Sequence, residues 1–201
     1  MTPWITKPIP FNIGQGAAAE AAPVIDYSWV DVQSSYTIDG NKITRSGTGW
    51  DAYCLSTNGA PASTGLTITA TNVDFSISSY VSYTWLDGSG DPRGRDGGAG
   101  EDWGEDVMSY GWYFGSNGGG TSPVALVRID GAVIGSAYAY TAASAVFKVV
   151  MTSTDVKFYI DGGDPKYTAN SGTGEQPDAS KTYYMIGSVY TDTQDLSGEM
   201  A

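Results

Sequence analysis

The chain of 201 residues contains no histidine and a single cysteine, Cys54. Without histidine there is no Ser-His-Asp or Cys-His catalysis, no His-ligated zinc, no 2-His-1-carboxylate iron site and no haem on a proximal His. One cysteine excludes internal disulfides, CxxC redox chemistry and cysteine-rich metal sites. Charge is also scarce: 16% of residues are charged, against about a quarter in average soluble chains. Ten basic residues face 22 acidic ones, a formal net charge of −12. A surface of that sign repels phosphate backbones, so no nucleic-acid partner is expected. No run of 18 apolar residues occurs, so no membrane insertion through an apolar helix is expected. Met1–Phe11 lacks the charged-then-apolar layout of a secretory signal. The expectation is synthesis in a reducing cytoplasm, in line with the missing disulfides.

What the chain has instead is glycine (27 residues), tyrosine (14), threonine and serine. Turn formers are abundant and helix formers few, which is the composition of a β protein. Alternating segments are expected as strands at 28–32, 50–56, 66–70, 73–77, 80–86, 107–114, 124–129, 133–140, 146–151, 156–160, 181–190 and 196–200. Asp39-Gly40-Asn41 and Asp130-Gly131 supply the positive φ of tight hairpin turns. The period is clearest in Val156, Phe158 and Ile160, which share one face, with Lys157, Tyr159 and Asp161 on the other. Many short strands, no long helix and no fixed-period repeat predict a two-sheet sandwich or a barrel.

Residues 1–25 are set apart from a domain spanning 26–201. Pro3, Pro8, Pro10 and Pro23 hold this arm extended and forbid a helix among them. Trp4, Ile5, Ile9 and Phe11 make it apolar, unlike a solvating tail. Two readings fit: a strap or first strand on the same domain, or an anchor that packs on another subunit.

Three groups of residues carry a family resemblance. The first comprises Tyr27-Ser28-Trp29-Val30-Asp31-Val32, then Thr37-Ile38-Asp39-Gly40-Asn41-Lys42-Ile43-Thr44-Arg45, Gly49-Trp50-Asp51-Ala52 and Leu55-Ser56-Thr57. The second is Phe147-Lys148-Val149 with Val156-Lys157-Phe158-Tyr159-Ile160-Asp161-Gly162. The third is Tyr183-Tyr184-Met185-Ile186-Gly187-Ser188-Val189-Tyr190. Together they resemble bacterial and phage-borne concanavalin A-like lectin/glucanase domains of the SPRY and laminin-G kind, over about residues 27–200. The resemblance implies an all-β jelly roll of two antiparallel sheets. Its motifs are turn glycines and core aromatics, so they speak for fold more than for activity. An acidic, glycine-rich insertion at 87–106 departs from the pattern.

The residues invite three chemistries. For glycoside hydrolysis, two rigidly held carboxylates are required. Only five glutamates exist, and the nearest pair, Glu101 and Glu105, sits beside a glycine-rich loop that cannot fix the geometry. No enzyme is expected. For calcium, Asp87, Ser89 and Asp91 offer oxygens at alternating positions of a loop, but the Gly and Glu of an EF-hand loop are missing and Arg93 and Arg95 intrude. No resident cofactor is expected, with calcium the one candidate ion. For saccharides, aromatic faces edged by polar groups are needed. Trp103, Tyr110, Trp112 and Asn117 are the candidate carbohydrate contacts.

These readings predict a non-enzymatic virion surface protein of a bacteriophage: a capsid decoration protein, head fibre or tail-associated adhesin. Its lectin-like domain would bind glycans weakly. Trp4, Ile5, Ile9 and Phe11 would anchor it on other virion subunits, in a homo-oligomer. The alternatives are a free-standing carbohydrate-binding lectin domain and a small glycoside hydrolase.

Overall fold

Alternation of apolar and polar residues has the effect that period-2 geometry demands. In the computed structural model, which describes residues 25–49, 52–71, 73, 78–92, 107–116, 123–140, 144–190 and 195–201, the described segments form fifteen strands and no α-helix. In chain order they are β1 (Trp29–Asp31), β2 (Tyr36–Asp39), β3 (Lys42–Arg45), β4 (Cys54–Ser56), β5 (Ala60–Pro61), β6 (Leu66–Thr71), β7 (Ser79–Trp85) and β8 (Tyr110–Ser116). There follow β9 (Pro123–Ile129), β10 (Ala132–Ala139), β11 (Phe147–Met151), β12 (Asp155–Ile160), β13 (Tyr167–Asn170), β14 (Thr182–Val189) and β15 (Asp195–Met200).

The strands pair antiparallel into two sheets that form a β-sandwich, as expected. One has the order β1-β4-β14-β7-β8-β9-β10, with β5 also on β14; the other runs β13-β12-β11-β6-β15-β3-β2. The β9–β10 turn places Asp130 at φ 51° and Gly131 at φ 81°, the left-handed pair that a two-residue hairpin needs. The last strand, β15, lies between β6 and β3, so the C-terminal segment completes the middle of its sheet.

The core lies between the sheets. Trp112, Phe114, Phe147, Phe158, Val149, Leu66 and Ile68 are fully buried. Trp112 meets Phe147 and Phe158 edge-on at 5.6 Å between centroids in each case. Two side chains bond across the gap: the Tyr83 hydroxyl donates to the Val149 carbonyl at 3.0 Å and the Trp112 indole N–H to the Lys148 carbonyl at 3.1 Å. Trp29 fills the space above two glycines. A Cβ at Gly187 or Gly198 would lie 2.8 or 2.7 Å from its ring atoms. The buried thiol of Cys54 is pushed up by desolvation, with Asp31 adding to the shift; it behaves as a small apolar core group.

The structure corrects several strand boundaries. Val107–Ser109 were expected to open β8, but they lead into it: Val107 and Met108 pack with Tyr53, Tyr80 and Ile186 in a second buried cluster. By alternation Tyr80 in β7 and Ile186 in β14 sit on the outer face of the β1–β10 sheet. Of 50–56, Cys54–Ser56 form strand. β13 was not expected, because Gly162-Gly163-Asp164-Pro165 breaks the preceding pattern and Tyr167–Asn170 is too polar to show a period. Most of the segment expected as a strand at 73–77 lies outside the described residues.

Candidate binding site at one end of the sandwich

The strand ends nearest Trp85 bring together chemistry that no local motif displays. Trp85 ends β7, Tyr110 begins β8, Asp130 occupies the β9–β10 turn and Tyr183 lies at the start of β14. With Ser109, Gln176, Asp178 and Lys181 they line a hollow of about 200 Å³. The Lys181 ammonium lies over the Trp85 ring, 3.7 Å from its centroid.

The walls are held by hydrogen bonds to backbone. The Tyr110 hydroxyl donates to the Gln176 carbonyl at 3.0 Å, and the Tyr183 hydroxyl accepts the Asp178 N–H at 2.9 Å. These two phenols pin the β13–β14 connection to the sheet. The turn carrying Asp130 is tied down by its own N–H to Ser109 and by Gly131 N–H to Met108, with Arg128 donating to the Gly131 carbonyl at 2.6 Å. Hydrogen bonds from the Ser180 hydroxyl and backbone N–H, with the Lys181 charge adding, hold the Asp178 carboxyl below the usual carboxylate range. Asp178 is therefore an ionised acceptor at neutral pH. A proton-donating general acid would need its pKa displaced upward.

The structure distributes the expected sugar contacts unevenly. Tyr110 walls the hollow, though it is only 5% exposed and its hydroxyl is engaged. Trp112 is a correction: alternation does place it with Tyr110 on one face of β8, but that face is the core. With no exposed surface, its ring cannot stack on a saccharide. Trp103 and Asn117 lie outside the described residues, as do Glu101, Glu105 and the arm residues Trp4, Ile5, Ile9 and Phe11.

The calcium candidates Asp87, Ser89 and Asp91 lie in one turn whose hydrogen bonds are internal. One oxygen of Asp87 accepts the backbone N–H of Ser89 at 2.8 Å and of Asp91 at 3.0 Å. That carboxylate closes its own loop, which an isolated Leu86–Pro92 bridge completes. Among the described residues no group of three acidic or cysteine side chains converges on a point. The alternating oxygens arise from a turn that needs an aspartate acceptor.

Trp85, Asp130, Gln176, Asp178 and Lys181 are not among the expected carbohydrate contacts. Two local signals were available. A tryptophan terminates a strand just ahead of a turn, and Asp178-Ala179-Ser180-Lys181 forms a polar turn before β14. Their convergence depends on β7 and β14 being neighbours, although the two strands are far apart in the chain.

No protein-family model matches the chain, and no curated protein matches it. Solved structures do. An uncharacterised protein from Mycobacterium paratuberculosis is 11% identical with a TM-score of 0.52, covering 87% of this chain and 92% of its own. A glycoside hydrolase family protein from Mycobacterium thermorestibile is 10% identical with a TM-score of 0.50 and the same coverage. A carbohydrate-binding module from Bacillus subtilis is 13% identical over 87% of this chain and 93% of its own, with a TM-score of 0.44. At these identities the likeness is one of fold: a two-sheet β-sandwich.

Proposed function

We propose that the protein is a carbohydrate-binding module that holds a saccharide at the Trp85 hollow without cleaving it. The observation that carries this reading is the pairing of an indole face with a polar rim. Trp85 forms one wall, while Asp130, Asp178, Gln176 and Lys181 stand around it. A pyranose presents an apolar C–H face edged by hydroxyls; an aromatic ring takes the first and carboxylates, amides and ammonium groups the second. Lys181 covers the ring in the free chain, and its flexible stem lets the ammonium move to the edge and donate to a hydroxyl. The hydrogen bonds from Tyr110 and Tyr183 fix the walls before ligand arrives, which reduces the ordering cost of binding. The hollow is small, so affinity is expected to be modest and to depend on multivalent display.

Binding without cleavage is part of this reading: hydrolysis needs one ionised and one protonated carboxyl held together, and the hydrogen bonds from Ser180 favour only the ionised form of Asp178. The test is a glycan array with the full chain and with Trp85→Ala, alongside a reducing-end assay on each bound polysaccharide. Binding that is lost in Trp85→Ala without release of reducing ends supports the reading. Binding that survives Trp85→Ala, or sustained release of reducing ends, overturns it.

A further inference from the structure

The charges of the Trp85 hollow discriminate between classes of saccharide. The Lys181 ammonium stands 3.7 Å from the indole centroid, well inside the range of about 6 Å over which a ring face attracts a positive charge. Trp85 and Lys181 are both half-buried. Two carboxylates, Asp130 and Asp178, line the same hollow. Both hydrogen bonds that Asp178 accepts from Ser180 fall on one oxygen, Oδ1, so Oδ2 is available to a ligand. In the free chain Lys181 is the cation that offsets this pair of acids. A sugar that stacks on Trp85 must first move that cation off the ring.

We infer, building on the saccharide reading of this hollow, that its ligand is an amino sugar with a free ammonium, whose apolar face covers Trp85 while its ammonium meets the carboxylates of Asp178 and Asp130. The exchange is then balanced: one ammonium leaves the hollow and another enters it. A neutral sugar displaces Lys181 and brings no positive charge in return. A uronic acid would bring a third negative charge to the two carboxylates. The field of the whole chain acts in the same direction, because a net charge of −12 draws cationic ligands and repels anionic ones. The hollow measures about 200 Å³, below the range of about 300–1,000 Å³ usual for small-molecule pockets, so it takes a single ring of an oligomer. Lys181 acts here as a built-in competitor for the ring, and its removal favours the cationic ligand.

The experiment is calorimetric titration of the full chain, at mildly acidic pH where the amine is protonated. The ligands are oligomers of glucosamine, N-acetylglucosamine and glucose of one linkage and length, which differ only in carrying an ammonium, an acetamido group or a hydroxyl at the second ring carbon. The glucosamine oligomer is expected to bind about tenfold tighter than the other two, the sum of two exposed charge pairs. Lys181→Ala should tighten its binding about two- to fivefold, the worth of an exposed cation–π contact. Asp178→Asn keeps the turn's Oδ1 acceptor but loses the charge, and should weaken binding about two- to fivefold. Equal or tighter binding of the acetamido or hydroxyl oligomer, or an unchanged affinity in Lys181→Ala, overturns the inference and leaves the saccharide reading standing. Failure of these oligomers and of every array glycan to bind removes both. Glucosamine binding that survives Trp85→Ala, or a lysine pentapeptide that competes as well as the sugar, marks charge attraction alone and also overturns the inference.

Discussion

Trp112→Ala separates a core role from a binding role most sharply. The indole has no exposed surface, packs edge-on against Phe147, Phe158 and Tyr138 within 6 Å, and hydrogen-bonds Lys148 across the sandwich. Truncating a buried tryptophan to alanine typically costs about 3–5 kcal/mol. Loss of the cross-sheet hydrogen bond is part of that sum, at about 1 kcal/mol. Domains of this kind are stable by about 5–15 kcal/mol, so Trp112→Ala removes a large share and leaves a marginal fold. Trp112→Phe keeps most of the ring burial but loses the N–H, so the smaller loss of about 1–3 kcal/mol is expected. Urea unfolding followed by circular dichroism measures both, with the midpoint moving and the slope unchanged. A Trp112→Ala protein as stable as the parent but devoid of saccharide binding would refute the placement of this ring in the core.

Further outcomes follow from other contacts. Tyr83→Phe removes the buried hydroxyl that donates to Val149 and is expected to cost about 1 kcal/mol in urea unfolding. Gly198→Ala sets a Cβ 2.7 Å from the Trp29 ring and 3.4 Å from Val81, an overpacking cost of about 1–3 kcal/mol; combined with Trp29→Leu the losses should be less than additive. Desolvation, reinforced by the hydrogen bond and charge of Glu175, raises the Tyr167 phenol from 10.0 to about 12. The neutral phenol is thus the form favoured by folding, so its contribution is complete below pH 10 and fades as pH rises towards 12. Tyr167→Phe should flatten the decline of stability over that alkaline window; an unchanged slope in pH-dependent melts would refute the assignment.

How much could be read from residues alone depended on distance along the chain. Fold class was legible because apolar alternation in segments such as Val156–Ile160 and turn pairs such as Asp130-Gly131 are local. Which face of a strand is the core was not legible. Tyr110 and Trp112 share a face in either case, and only sheet-on-sheet packing decides that Phe147 and Phe158 cover it. A self-closing aspartate turn such as that of Asp87 and a ligand loop share the same spacing of oxygens, so residues alone do not separate the two. The Trp85 hollow stayed hidden for the opposite reason. Trp85, Asp130 and Lys181 each look like ordinary strand-end residues until the pairing of β7 with β14 and β8 brings their loops to one place.

The most direct test of binding at this end of the sandwich is an amide chemical-shift map of the labelled full-length protein, titrated with a saccharide selected on the array. The account predicts shifts concentrated at Thr84–Asp87, Ser109–Tyr110, Asp130–Gly131 and Gln176–Tyr183. Shifts gathered on another surface would contradict it.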